Sequence, residues 1–268
     1  MYPFLPKSYK NTYPFKLAAP SFIYPDNYIP NIKMLGPCLD EIELLIFESA
    51  KESLPSEDEI RHFALLAKEF DLTYNVHLPL DIFLGDQYPS IRHQAVESIK
   101  HVFDLTAPLS PSTLTLHLSY DEASNDQQSV AKWQERVHQS MQKLLATGIN
   151  SRSISIETLM YPFEWADPII NDLDLSVCID IGHLILQKAD VEKTFNAYLE
   201  KTSILHLHGA DEGRDHMALD KLPTQHLAFV MEILQKFTGV VSLEVFSYRD
   251  LIPSLKFFEK CWQRVIIS

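Results

Sequence analysis

Six short apolar runs in this chain each carry, at or near the end, a side chain that binds metal ions well, always on the same strand face. They are LTYNVHL with His77, TLTLHLS with His117, SISIETL with Glu157, SVCIDIGH with Asp180, SILHLHG with His206 and VVSLEVF with Glu244. Side chains two apart in a strand share a face. Two residues before each ligand stand Asn75, Thr115, Ser155, Cys178, Ile204 and Ser242, which are mostly small or polar. The opposite parity reads Tyr74/Val76, Leu114/Leu116, Ile154/Ile156, Val177/Ile179, Leu205/Leu207 and Val241/Leu243. One face of each segment is thus fit to pack beneath helices. The other leads along small groups to a ligand at its C-terminal end.

Two further runs, 15–19 and 41–47, bring the strand count to eight. Helical patterns alternate with them, as in a parallel sheet with crossover helices. Ser56 and Glu59 form a capping box ahead of Ile60, Phe63, Ala67 and Phe70. Ser90 opens a helix, 127–146 is another closed by Gly148, Asp190 and Thr224 start two more, and the last spans about 250–265. Pro25 and Pro30 predict a short first crossover, and the region 164–171 a weak fifth one.

Eight such units predict a (β/α)8 TIM barrel, whose active sites lie at the C-terminal ends of its strands. An open doubly wound sheet would place a Gly-rich phosphate loop after its first strand. Here that strand runs into Ala19-Pro20-Ser21-Phe22, without glycine. With only 7 glycines and no low-complexity tract, nothing reads as a linker. One barrel domain over 1–268 is expected, with residues 1–14 as an N-terminal extension.

Carboxylates and imidazoles ending parallel strands meet near the barrel axis. Unneutralised, they would repel one another and resist burial, and a divalent cation removes both difficulties. Mixed imidazole and carboxylate donors suit Zn, Mn or Fe better than the all-oxygen sites of Mg. Asp180 and His183, in DIGH, are spaced for the turn after strand six to present both. His216, in RDHMAL, sits on the loop after strand seven as a metal ligand or a surface residue, while His208 lies one step beyond His206, placed to ligate, to support a ligand or to touch substrate. Glu43 shares the inward parity of strand two and is a candidate for substrate contact. His62, His93, His101, His138 and His226 fall on predicted helices and read as surface residues. Cys178 lies within the sheet and reads as packing. No GxSxG elbow, GxxxxGK[ST] loop or GxGxxG turn is present.

The formal charge is −13 and no Lys/Arg cluster exists, so bulk nucleic acid is not an expected partner. A small anion remains compatible, because bound cations dominate a local field. Three widely spaced cysteines argue against a disulfide framework and for a reducing cytoplasm. The opening MYPFLPKSYKNTYPF lacks the continuous apolar core of a secretory leader, and no run reaches membrane-spanning length.

At these residues the whole chain resembles the xylose-isomerase-like barrel superfamily, which includes sugar isomerases, sugar-phosphate epimerases and endonuclease-IV-type phosphodiesterases. The resemblance implies that Glu157, Asp180, His206 and Glu244 hold a shared metal. It further implies that His77, His117 and His183 match the extra ligands of the hydrolytic branch, giving two or more Zn or Mn ions. That branch has an Asp-x-His pair after strand seven. His216 matches its histidine, but Arg214 stands at the Asp position and Asp215 is out of register; the departure leaves a third metal open, or gives Arg214 to substrate phosphate instead.

The segments YPFKLAAPSFIYPDNYIPNI, DEIELLIFES, LTYNVHLPLD, DIGHL and LHLHG…DHMAL are similar to the cobamide-remodelling phosphodiesterases. This implies a cytoplasmic enzyme that hydrolyses the phosphodiester in the nucleotide loop of a cobamide. Glu157, His183 and Glu244 would be its catalytic groups, and His208, Arg214 and Glu43 would contact substrate. The alternatives within the superfamily are a one-metal sugar or sugar-phosphate isomerase or epimerase and an abasic-site DNA endonuclease.

Overall fold

The computed structural model describes residues 2–211 and 213–267. Eight parallel strands close into a barrel: β1 (Lys16–Pro20), β2 (Glu41–Leu45), β3 (Thr73–His77), β4 (Leu114–Leu116), β5 (Ile154–Glu157), β6 (Ser176–Asp180), β7 (Thr202–Leu207) and β10 (Val240–Leu243). Between the last two lies an antiparallel hairpin, β8 (Gly209–Asp211) and β9 (Arg214–Met217). Around the barrel the order is β1-β10-β7-β6-β5-β4-β3-β2, so each strand pairs with its neighbour in barrel sequence.

The two parities separate as the sequence predicts. Leu17, Ile42, Tyr74, Leu116, Ile156, Val177, Leu205 and Val241 enter the large apolar core between barrel and helices. The inward parity forms a small separate cluster of Ala18, Cys178, Ile204 and Val240. Buried Asn75, Thr115, Ser155 and Ser242 share that parity. At the N-terminal end, the buried Glu41 carboxylate accepts from Asn75 Nδ2 at 2.9 Å and Ser112 Oγ at 2.5 Å, with Lys16 Nζ at 3.4 Å. This paired charge closes the barrel floor and leaves the chemistry to the opposite end.

The helices are α1 (Tyr28–Leu35), α2 (Glu57–Phe70), α3 (Pro89–Thr106), α4 (Gln127–Leu145), α5 (Asp167–Asp172), α6 (Ile181–Leu186), α7 (Val191–Tyr198), α8 (Thr224–Leu234) and α9 (Tyr248–Ile267). The capping box is present: Ser56 Oγ accepts the Glu59 N–H, and the Glu59 carboxylate accepts the Ser56 N–H at 2.9 Å. The third helix begins at Pro89, one residue earlier than expected, because proline needs no N–H at the first helical position. Helix α1 is short, as Pro25 and Pro30 predict, and α5 is short where the sequence over 164–171 is weakly helical. The segment before β1 is tied into the same core: Tyr13 stacks on Phe15 at 5.1 Å and meets Phe258 and Trp262 of α9 edge-on. Among the described residues, no helix is long and apolar enough to cross a membrane.

Candidate metal centre

Glu157 ends β5 and is buried at the centre of the barrel mouth. Its two oxygens face different partners. Oε2 lies 3.2 Å from His77 Nε2 and 2.9 Å from His117 Nε2. Oε1 lies 3.3 Å from His183 Nδ1 and 3.7 Å from His206 Nδ1. Two ligands of one tetrahedral ion, each at about 2.0–2.2 Å, stand about 3.3–3.5 Å apart. The separations from His77, His117 and His206 therefore suit ligands grouped around ions.

Among the described residues, three groups of ligand atoms form at the mouth, within each of which all atoms lie inside 4.8 Å of one another. The first is His77, His117 and Glu157; the second is Glu157, Asp180, His206 and Glu244. The third is His183, His208, Asp215 and His216. A further combination substitutes the Cys178 thiol, beneath His206, for the outer carboxylates of the second group.

The protonation pattern tests whether a cation fits. His77 Nδ1 lies 3.0 Å from the Leu78 carbonyl, which can only accept, so Nδ1 carries the hydrogen and Nε2 turns a lone pair toward Glu157. His183 is fixed in the same way by the Thr158 carbonyl, 2.9 Å from Nδ1, leaving Nε2 toward Asp215 at 3.1 Å. A lone pair facing a carboxylate needs a proton or an ion between them. Both His206 nitrogens, with Glu43 Oε1 and Glu244 Oε2, are buried without a hydrogen-bond partner among the described residues. His206 Nδ1 is nevertheless 3.0 Å from Glu244 Oε2. Close approach without hydrogen-bond alignment is what ligands of a common ion show, and the donor set fits a divalent cation.

The charges are mutually dependent. Burial opposes ionisation of Glu157, but His117 and His206 outweigh it and hold the carboxyl well below its usual range. Asp180 is likewise buried and held low by His208 and His183. Burial also opposes charge on the imidazoles, yet Asp180 and Asp215 push His183 up to about 12, and Asp180 pushes His208 up to about 9. Without an ion, protons on histidine balance the carboxylates. With one, the ion takes their place.

Local structure explains the convergence. Asp180 is the N-cap of α6, its Oδ1 accepting the His183 N–H at 2.8 Å. Gly182 lies between them, and a Cβ there would stand 1.9 Å from His208 Cε1. Only glycine lets the His208 ring rest on the start of α6, where Nε2 meets both Asp180 oxygens at 3.0 Å. His216 adopts a left-handed φ of 49°, and its Nδ1 lies 3.2 Å from the Glu244 carbonyl.

The eight expected ligands, His77, His117, Glu157, Asp180, His183, His206, His216 and Glu244, are brought together in these groups. Among the described residues, the three expected substrate contacts do not line the mouth cavity. Glu43 is fully buried beneath His206, its Oε1 3.2 Å from Nε2, because its inward position lies one level below the mouth. His208 is also fully buried, sealed between Asp180 and Asp215. Arg214 is exposed and does not line the mouth cavity. Asp215, set aside on spacing, supplies the carboxylate of the third group.

The sequence matches the family model described as xylose isomerase-like TIM barrel over residues 32–261. None of the curated proteins compared matches it in sequence. Solved structures of the same fold include a D-tagatose 3-epimerase-like protein, with a TM-score of 0.76 and 19% identity over 94% of this chain and 98% of that one. Endonuclease IV from Thermus thermophilus superposes with a TM-score of 0.72 and 17% identity over 93% and 99% of the two chains. A 3-keto-D-glucoside 4-epimerase from E. coli gives 0.70 and 14% over 92% and 100%. The matched span and the closed barrel agree: the chain belongs to the xylose isomerase-like TIM barrel family.

Proposed function

We propose that the protein is a divalent-metal-dependent phosphodiesterase that hydrolyses the phosphodiester in the nucleotide loop of cobamides. The observation that carries this reading is the division of Glu157, one oxygen toward His77 and His117 and the other toward His206. A carboxylate so placed can bridge two ions. When bound there, two ions would supply Lewis acidity to the phosphoryl oxygens and acidify an attacking water.

Glu157, Asp180, His206 and Glu244 would hold one ion, and His77 and His117 with Glu157 the other. Water adds to phosphorus, the bond from phosphorus to the leaving oxygen breaks, and a proton ends on that oxygen. Products are an alcohol and a phosphomonoester. His183 and His216 line the mouth and are within its reach to donate to phosphate or to hold a further ion. With a net charge of −13, a compact substrate suits the molecule better than a DNA backbone.

A one-ion sugar epimerase is the second reading, because Glu157, Asp180, His206 and Glu244 form a complete four-ligand set alone. It leaves His77 and His117 without a task. The test is incubation of metal-loaded protein with cobalamin, followed by chromatography. Release of the nucleotide-loop portion, leaving a shortened corrinoid, is expected. Intact cobalamin in the presence of fully loaded protein would overturn the assignment.

A further inference from the structure

Above the ligand groups lies a cavity of about 140 Å³, and among the described residues every polar side chain lining it belongs to those groups. The rest of its wall is apolar. Phe47, Leu80 and Phe246 form the part open to solvent, at 44%, 42% and 39% exposure. Single exposed apolar residues are ordinary on a protein surface. Three of them around one candidate ion site are a shared surface whose hydration a ligand could relieve.

The shelf is held in place from behind. The Leu80 N–H donates to the Phe47 carbonyl at 3.1 Å, and the Ile46 N–H donates to the His77 carbonyl at 3.1 Å. The loops after β2 and β3 are therefore tied to each other and to a candidate ligand. The Phe47 ring packs on Phe22 at 5.1 Å, and the Phe246 ring packs on His216 at 4.7 Å. Rings fixed before binding lose little freedom when they gain a partner. Their chemistry suits the flat face of another π system or hydrocarbon. It offers nothing to sugar hydroxyls, which need donors and acceptors other than those committed to ions.

We propose that Phe47, Leu80 and Phe246 form a specificity shelf that receives a flat aromatic group carried by the same molecule whose phosphoryl oxygens meet the metal centre. This rests on the phosphodiesterase reading and narrows it: one substituent of the phosphodiester carries an aromatic ring that lies against these three side chains.

The test separates binding from turnover. Calorimetry on zinc- or manganese-loaded protein compares phenylphosphonate with methylphosphonate, two anions that differ only in the aromatic ring. Phenylphosphonate should bind at least about tenfold more tightly, consistent with burial of a ring face. In Phe47→Ala, Phe246→Ala and Leu80→Ala the ratio should fall toward unity, whereas Leu65→Ala, which trims an exposed leucine on α2, should keep it. Melting temperatures of all variants establish that they are folded. Equal affinities in the unaltered protein, or a ratio that survives both phenylalanine changes, would overturn the proposal. Hydrolysis of phenyl 4-nitrophenyl phosphate is followed alongside. Ring preference without turnover sustains the shelf and leaves the cobalamin incubation to decide the phosphodiesterase, and turnover without preference sustains the phosphodiesterase and rejects the shelf.

Discussion

Asp180 Oδ1 accepts the backbone N–H of His183 at 2.8 Å, so a helix cap doubles as the joint between two ligand groups. Asp180 belongs to the group around His206, and His183 to the group around Asp215. The DIGH segment thereby fixes the relative position of both. A carboxylate at a helix N-cap satisfies an otherwise unpaired N–H, so this placement also stabilises α6.

Gly182 is the pivot of that joint. Gly182→Ala would force its Cβ against His208, 1.9 Å away, and either the ring or the start of α6 must move. Overpacking of this kind costs about 1–3 kcal/mol. Chemical denaturation of the metal-free protein should show that loss, and metal titration should show weaker loading. Unchanged stability would mean that His208 is not seated as described.

Glu43 stands behind His206 with its carboxylate facing Nε2, leaving Nδ1 for an ion. Glu43→Gln removes the charge that favours hydrogen on Nε2. Groups in this outer position typically set metal affinity by about 10- to 100-fold. Competition with a chromophoric chelator should reveal a loss of that size. Direct contact with substrate would instead raise KM and leave metal affinity alone.

Asp215 and Arg214 make opposite predictions although they are adjacent. Asp215→Asn removes the carboxylate that faces both His183 and His208. His183 and His208 should then become easier to deprotonate, visible as imidazole resonances titrating at lower pH in metal-free protein. Arg214→Ala, on an exposed side chain, should change stability by no more than about 0.5 kcal/mol. A substantial loss of substrate binding in Arg214→Ala would restore its assignment to phosphate.

The pH dependence follows from the raised imidazoles. His183 at about 12 and His208 at about 9 stand above the usual 6.5, so their charged forms are favoured by folding. That stabilisation is complete below the unfolded value of 6.5 and is lost as pH rises through 9 and towards 12. Metal-free protein should therefore melt at progressively lower temperature across that alkaline range. Ions must displace the same protons, so loading should release protons and strengthen as pH rises from neutrality. Calorimetry in buffers of different ionisation enthalpy measures the release; none at pH 7 would contradict the assignment.

Most of the barrel is legible in residue parity, because a strand buried on both faces must separate what meets helices from what fills the interior. Tyr74 and Val76 against Asn75 and His77 show this directly. The ligands at strand ends are legible for the same reason. Helix α6 is not, since six residues after a strand carry no helical period of their own. Asp215 escapes because alternation would send it and His216 to opposite faces. The left-handed backbone at His216 breaks that alternation and turns both side chains toward one group. The depth of Glu43 and His208 is set by barrel stagger, which parity cannot express.

Metal content per chain tests the central claim most directly, using protein stripped with chelator, reloaded with zinc or manganese and freed of excess. Shared ligation through Glu157 predicts two or more tightly held ions in the unaltered chain and one or none in Glu157→Ala. One ion or fewer in the unaltered chain, or the same number in both proteins, would contradict it.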